Sequence, residues 1–208
     1  MPPLGWLLLA FCAGSVPFSP LLGRLALRRD IRQYGDGNPG STNVFKAGGR
    51  GVGVAALLLD AFKGALPVGL AYWGAGLTGG WLVAVALAPI LGHAFSPFLG
   101  GRGGKAVAVT FGVWAGLTGP EAPLVLGCLL AVWFLTVDNS GWALLVTWLS
   151  FLGHLLLYRP DPTWLGLWTL NGLLLAWKYR ADLARRPRLR TEWAARLVRR
   201  LSAVSRQA

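Results

Sequence analysis

Long apolar runs dominate the chain, and short polar stretches interrupt them. Seven runs can be drawn, at about Leu4–Gly23, Val52–Tyr72, Trp81–Phe95, Ala106–Thr118, Ala122–Val137, Gly141–Leu157 and Trp164–Trp177. A helix needs about 20 residues to cross the hydrocarbon core, with about 17 as a lower bound. Several runs are shorter, and the fourth, stopped by Gly119-Pro120, can be a half-helix or re-entrant element. The pattern predicts an all-α fold, a polytopic membrane protein with about seven transmembrane helices, some of them short or broken. Pro17 and Pro20 should kink or unwind the cytoplasmic half of the first run. Such breaks survive at membrane depth only where protein or a wet cavity satisfies the freed backbone groups.

Composition agrees with the pattern. The chain has 208 residues, 54% of them hydrophobic and only 13% charged, against about 25% charged in an ordinary soluble domain. The net charge of +12 would suit nucleic acid, but the cations sit beside apolar runs, which suits topology and lipid headgroups instead. Arg24, Arg28, Arg29, Arg32, Lys46 and Arg50 lie in the first loop, Arg102 and Lys105 in the third, and ten more between Lys178 and Arg206. With seven spans all of these share one side, and Arg159, opposed by Glu121 and Asp161, is alone on the other. The positive-inside rule then puts the N-terminus outside and the C-terminus in the cytoplasm, with a membrane domain over 1–178 and a basic tail over 179–208. Arg185 to Arg190 should hug anionic lipid at about 1 kcal/mol per basic residue, and Glu192 to Leu201 can form a short basic amphipathic helix. The start of the chain has no basic segment ahead of its apolar run, so it is expected to be a first span and not a cleaved leader. Cys12 and Cys128 are expected to be small buried side chains with neither disulfide nor metal spacing. Trp81, Trp142 and Trp164, near span ends, fit an aromatic belt.

Two loops break the apolar character. Tyr34 to Lys46 reads Y-G-D-G-N-P-G-S-T-N-V-F-K, and Gly100 to Lys105 reads G-G-R-G-G-K. Glycines let backbone amides approach a ligand, and successive N–H groups beside a cation form a concavity suited to phosphate. An even number of spans separates the loops, so both fall on the cytoplasmic face. Gly37, Asn38, Ser41, Thr42 and Asn43 are candidate ligand contacts. Ser41 and Thr42 are also good N-caps that can start the second span. Arg102 can fork onto phosphate, and Lys105 and Lys46 supply compact charge. Asp60 and Lys63 share one helix face inside a span, where charge signals either function or a self-neutralising pair. His93 runs into the second loop with Gly103 and Gly104. Ser15 either packs helices or borders the cavity. Asp138-Asn139-Ser140 is expected to be a plain cytoplasmic turn, and His154 to be interfacial or packed.

Together, Gly14-Ser15-Val16-Pro17-Phe18, Gly37-Asn38-Pro39-Gly40 with Thr42-Asn43-Val44, Leu57-Leu58-Leu59-Asp60 with Lys63-Gly64, Gly92-His93-Ala94-Phe95 and Gly103-Gly104-Lys105 resemble the bacterial acyl-phosphate:glycerol-3-phosphate acyltransferase family. The resemblance implies acyl transfer from acyl phosphate to the sn-1 hydroxyl of glycerol 3-phosphate, opening phospholipid synthesis at the bacterial plasma membrane. It implies no cofactor and no metal. The implied partners are the two substrates, membrane lipid and the enzyme that supplies acyl phosphate; nucleic acid is not among them. His93, Lys46, Arg102, Lys105 and Asp36 would be catalytic, with Ser15, Gly37, Asn38, Ser41, Thr42, Asn43, Lys63, Gly103, Gly104 and Asp182 binding substrate. The chain departs from the family pattern with Asp36 for Ser, Lys46 for Arg, Val109 for Thr and Asp182 for Asn. Two of these changes put a carboxylate where phosphate should bind, which repels a dianion unless the group is protonated or paired with Arg. A second reading is a catalytically weak or inactive paralogue that binds lipid or phosphate. A third, a transporter of an anionic solute, needs an open path across the membrane, and the bare far side argues against it.

Overall fold

The computed structural model describes residues 1–190, so the proposed amphipathic helix at Glu192 to Leu201 lies outside the described residues. All seven apolar runs are helical. The first is split into α1 (Pro3–Ser15) and α2 (Phe18–Leu27). Then come α3 (Ser41–Lys46), α4 (Arg50–Gly69), α5 (Gly79–Ala94), α6 (Val107–Thr118), α7 (Glu121–Thr136), α8 (Ser140–Tyr158), α9 (Pro162–Lys178) and the short α10 (Arg180–Leu183). Among the described residues there is no strand, only one isolated antiparallel bridge between Val137 and Leu189. Four helical segments of 19 to 25 residues are long and apolar enough to cross a membrane: Pro3–Leu27, Arg50–Gly74, Gly79–Leu99 and Ser140–Tyr158. The remaining apolar helices α6, α7 and α9 have 12, 16 and 17 residues.

The break in the first run falls at Val16-Pro17, as the prolines require. Pro20 has no N–H to give the carbonyl of Val16. Lys63 Nζ donates to that carbonyl at 2.7 Å instead, and the Ser96 hydroxyl donates to the carbonyl of Ser15 at 2.6 Å. Protein side chains thus replace the water that a bilayer withholds. Lys63 also pairs with Asp60 at 2.7 Å, and Ser19 donates to the same carboxylate at 2.6 Å. Asp60 and Lys63 are both buried.

The helices pack as α1 on α5, α4 on α6, α7 on α8 and α9 on α5. Small residues set the closest crossing. A Cβ on Gly112 of α6 would lie 1.8 Å from the Ala61 carbonyl oxygen of α4, so the two backbones touch, the usual way to gain dispersion contact where lipid offers no hydrophobic drive. The core centres on Trp114, which meets Phe151 edge-on at 4.9 Å and stacks on Trp164 at 6.0 Å. Trp164 is therefore not a belt residue: it is buried in this cluster, with the Arg159 guanidinium 5.4 Å from its ring. Trp81 is exposed, and Trp142 donates from Nε1 to the Arg185 carbonyl. Both cysteines are exposed and unpaired by disulfide, not buried, because they lie on outward faces of α1 and α7. Leu8, Leu58, Phe62, Trp73, Leu135 and Leu157 are also exposed, an apolar exterior suited to lipid.

Two polar details differ from the simplest expectation, and a third, His154, is packed as expected. Ser41 and Thr42 open their own six-residue helix behind Gly40, and neither makes a capping bond. Gly48 and Gly49 then separate this helix from α4, so the second span starts at Arg50. Asn139 is more than a turn residue. Its oxygen caps Gly141 and Trp142, and its amide donates to the Asp182 carbonyl at 2.8 Å. His154 lies 3.2 Å from Glu121, which also accepts from Arg159 Nε at 3.1 Å, a packed cluster at one end of the helices.

Removing one member of a buried ion pair strands the other. Asp60→Ala should cost about 3–5 kcal/mol, seen as a lowered Tm in nanodiscs. A double variant, Asp60→Leu with Lys63→Met, should lose less than the single one.

Candidate functional site

The first loop is folded by its own side chains. Asp36 Oδ1 accepts from the Asn38 amide at 3.2 Å and from Asn43 Nδ2 at 3.1 Å, and Asn43 Nδ2 reaches the Asn38 carbonyl at 2.8 Å. These side-chain-to-backbone closures are the reason Asx residues gather in such turns. Asn43 is buried at the start of α3 and anchors the loop on the helix.

The second loop leaves α5 through the turn Pro97–Leu99 and comes back against His93. The Gly104 amide donates to the His93 carbonyl at 3.1 Å. A Cβ on Gly103 would stand 1.9 Å from that carbonyl oxygen, and one on Gly104 would stand 2.2 Å from His93 Nε2. Only glycine fits either position. Lys178 Nζ, at the end of α9, donates to the Ala94 carbonyl at 2.5 Å and to the Gly103 carbonyl at 3.3 Å. The loop ends at Ala106 with φ of 66°, a left-handed conformation that costs a non-glycine residue roughly 1–2 kcal/mol.

Lys105 joins three segments distant in sequence. Its Nζ lies 3.0 Å from Asp36 Oδ2, 2.8 Å from Asp182 Oδ2 and 4.4 Å from the centre of the Tyr179 ring. The two carboxylates expected to repel a dianion are thus both paired, with one lysine and not with arginine. Partial burial pushes the Lys105 ammonium down, but bonds to Asp182 and Asp36 outweigh this and hold it above the ordinary lysine value. For Asp36, burial pushes up, while Lys105 and the amides of Asn38 and Asn43 pull it below the ordinary carboxylate value. Burial pushes the Tyr179 phenol up to about 12, so it stays neutral under the ammonium.

The other candidate residues are placed around this centre. Gly37 has φ of 73° beside Asp36. Lys46 and Arg102 are exposed, without a polar side-chain partner among the described residues. Lys46 lies over the first loop, where a Cβ on Gly35 would come within 2.8 Å of its Nζ. Ser15 is buried, bonded to the Phe11 carbonyl at 2.8 Å, and has no contact with Lys105. Lys63 is committed to Asp60 and Val16. His93 Nδ1 lies 3.8 Å from Asp60, beyond hydrogen-bond length, so His93 bridges the buried pair below to the glycine loop above.

A groove of about 680 Å³ opens beside these loops. Ser41, Thr42 and Tyr179 line its polar mouth, and Leu58, Phe62, Val107, Phe111, Gly127 and Phe134 line its apolar length. Gly127 is not needed for packing: an added Cβ would meet only a Phe111 ring atom, at 4.0 Å. Tyr179, Lys178, Asn139 and Gly127 escaped the sequence reading. The only signal was a lysine in the last turn of the last apolar run, and a glycine in mid-helix gives none of its own.

A profile of the family described as glycerol-3-phosphate acyltransferase matches residues 4–188. The curated glycerol-3-phosphate acyltransferase of Citrobacter koseri is 43% identical over 142 residues, covering 67% of this chain and 65% of that protein. The same-named protein of Klebsiella pneumoniae subsp. pneumoniae is 44% identical over 139 residues, with the same coverage. The match thus spans slightly under two thirds of these relatives' length. Among solved structures, the glycerol 3-phosphate form of PlsY (YgiH), an integral membrane glycerol 3-phosphate acyltransferase, superposes with TM-score 0.80 at 27% identity over 89% of this chain and 92% of that one. Its lysophosphatidic acid form gives TM-score 0.79 at the same identity.

The Asp36–Lys105 bond sets a pH window for loop order. Asp36 is held below the ordinary carboxylate value and Lys105 above the ordinary lysine value. The bond therefore stabilises fully between the ordinary aspartate and lysine values, and is lost as pH falls through the lowered Asp36 value or rises through the raised Lys105 value. Protection of the amides of residues 36–43, exchange corrected for its intrinsic pH dependence, should be high on this plateau and fall at its acidic edge. Asp36→Asn should remove the acidic edge.

Proposed function

The chain belongs to the glycerol-3-phosphate acyltransferase family, and on that premise we propose that it moves an acyl group from acyl phosphate to the sn-1 hydroxyl of glycerol 3-phosphate. The products are 1-acylglycerol 3-phosphate and inorganic phosphate. The observation that carries this reading is the apolar groove ending at the charged loops. Its α7 wall runs from Pro123 to Phe134, which at the helical rise is about 16 Å, close to half of a hydrocarbon core of about 30 Å. An acyl chain drawn from one leaflet fits that depth while its phosphate meets the loops. The clustering of Lys and Arg beside these loops supports a seven-span topology with the N-terminus outside; in that topology the loops meet the cytoplasm at a bacterial plasma membrane, where the polyol phosphate is dissolved and an enzyme making acyl phosphate can deliver its product.

In this reaction the acceptor hydroxyl oxygen bonds to the carbonyl carbon. The carbon–oxygen bond to phosphate breaks with its electron pair, and the hydroxyl proton passes to the departing phosphate. Such a step needs positioning and charge stabilisation more than a separate base. Lys105 and the Gly103 amide face the donor's phosphate, while the Gly104 amide, bonded to the His93 carbonyl, fixes the loop. Arg102 and Lys46, exposed at the rim, add charge. Gly37, Asn38 and Asn43 shape the first loop, and Asp36 and Asp182 hold Lys105 in place between substrates. His93 and Lys63 act from below, His93 by holding the glycine loop and Lys63 by holding the break in the first helix, beside Ser15.

Full-length protein in nanodiscs, given acyl phosphate and glycerol 3-phosphate, should release phosphate and form the monoacyl product. Background rates beside an active family enzyme would overturn the reading. Lys105→Met should lower kcat/KM on the order of 100-fold, as for loss of one charge-stabilising group. Gly127→Leu should fill the groove and shift preference from longer to shorter acyl donors, read by competing donors of different length in one assay.

A further inference from the structure

The apolar groove ends where α4 and α6 meet. From the loops downward, its α4 wall runs from Leu57 to Ala65, its α6 wall from Val107 to Ala115, and its α7 wall back from Phe134 to Pro123. At Ala65 the two helices touch, since a Cβ on Gly116 would lie 2.5 Å from the Ala65 carbonyl oxygen. One large side chain crosses between them at this level. Trp73 Nε1 donates to the Gly116 carbonyl at 2.9 Å.

That carbonyl lies in the last turn of α6 and has lost its helical donor, because Pro120 has no N–H to give it. An unpaired carbonyl at membrane depth is costly, and the indole N–H answers it. Trp73 reaches across because α4 does not finish as an α-helix. Leu70–Gly74 forms a wider turn, closed by the Ala75 amide on the Leu70 carbonyl at 3.0 Å. Leu58, Phe62, Ala65 and Gly69 share one face at helical spacing. At about 3.6 residues per turn, Trp73 would overshoot that face. The wider turn, a form that gathers at functional sites, brings it round beneath Ala65.

A Trp near a span end can also be an interfacial anchor with its N–H turned to headgroups. The Trp73 N–H is turned onto a helix instead. Tyr72 meets the Trp73 ring edge-on at 4.7 Å and joins it to Trp164 in the core at 5.9 Å. The indole is thus held at two points, yet it is exposed. The inner faces of both helices are already filled by buried Val68 and Ala71 and by buried Val113, Trp114 and Leu117. The exposed ring therefore stands on the lipid side, where the groove is open.

We propose that Trp73 is the floor of the acyl groove: its ring stops the far end of the donor's chain and so sets the length of acyl group the protein prefers. The inference rests on the acyl-transfer reading for its role, and binding of unreactive chains tests it apart from that reading.

Full-length wild type, Trp73→Ala, Trp73→Leu, Trp73→Phe and the control Trp81→Ala are compared in nanodiscs. Trp81, exposed on α5, is not part of the groove wall. Acyl phosphates of increasing chain length compete for glycerol 3-phosphate in one assay. The n-alkyl phosphates of the same lengths, which cannot transfer their chains, are ranked by the rise in Tm they confer. Trp73→Ala should raise the kcat/KM of the next longer donor over the wild-type optimum about fourfold, the worth of roughly one methylene group. It should also move the best-stabilising alkyl phosphate to a longer chain. Trp73→Leu should shift both in the same direction by less. Trp73→Phe, which keeps a ring and loses the bond to Gly116, and Trp81→Ala should keep the wild-type ranking. Unchanged rankings in Trp73→Ala and Trp73→Leu overturn the floor. So does an equal loss at every length in all the Trp73 variants, which would make the indole a prop for Gly116 alone. A wild type that transfers nothing overturns the acyl-transfer reading, and the alkyl phosphate ranking then decides the floor by itself.

Discussion

One ammonium group holds the loop-bearing end of this protein together. Lys105 contacts Asp36, Asp182 and the Tyr179 ring, which come from the first loop, the end of the last long helix and the turn beyond it. These segments share no helix and no sheet ladder, so side-chain charge does the work that secondary structure does elsewhere. Attraction at about 3 Å in a half-buried setting is several times what water would allow. The arrangement is built so that the surplus carboxylate tightens the lysine's hold on its proton.

Beneath it, backbone geometry makes the cation's position repeatable. Gly103 and Gly104 lie so close to His93 that no side chain can stand there, Lys178 clamps the same turn from α9, and Ala106 accepts a strained conformation to start α6. Strain of this kind survives only where the surroundings over-determine it. Three fixed points around one loop provide that, and the groove between α4, α6 and α7 then opens at a defined height below the lysine.

The helices and the pairing of the two loops were legible in the sequence because each has a local cause: apolar runs, prolines, glycines beside cations, and an even number of spans. What was not legible depended on neighbours. Trp164 sits near a span end like Trp81, yet it faces Trp114 and is buried; sequence position cannot tell which way a helix is rotated. Cys12 and Cys128 were misplaced for the same reason. Asp36 and Asp182 looked like repulsive intrusions, since nothing in the chain order says that both reach Lys105. Asn139 looked like a turn residue because its second partner is forty-three positions away.

The split first helix ties distant positions into a shared history. The carbonyl of Val16 lost its helical donor to Pro20 and took Lys63 in exchange, while Lys63 in turn is neutralised by Asp60 and Asp60 is steadied by Ser19. None of the four side chains is useful alone at that depth, and each is a burden without the others. Substitutions at 19, 20, 60 and 63 should therefore arise as a set across descendants of this chain, and a lineage that straightened the helix would have to discard the buried charges in the same episode.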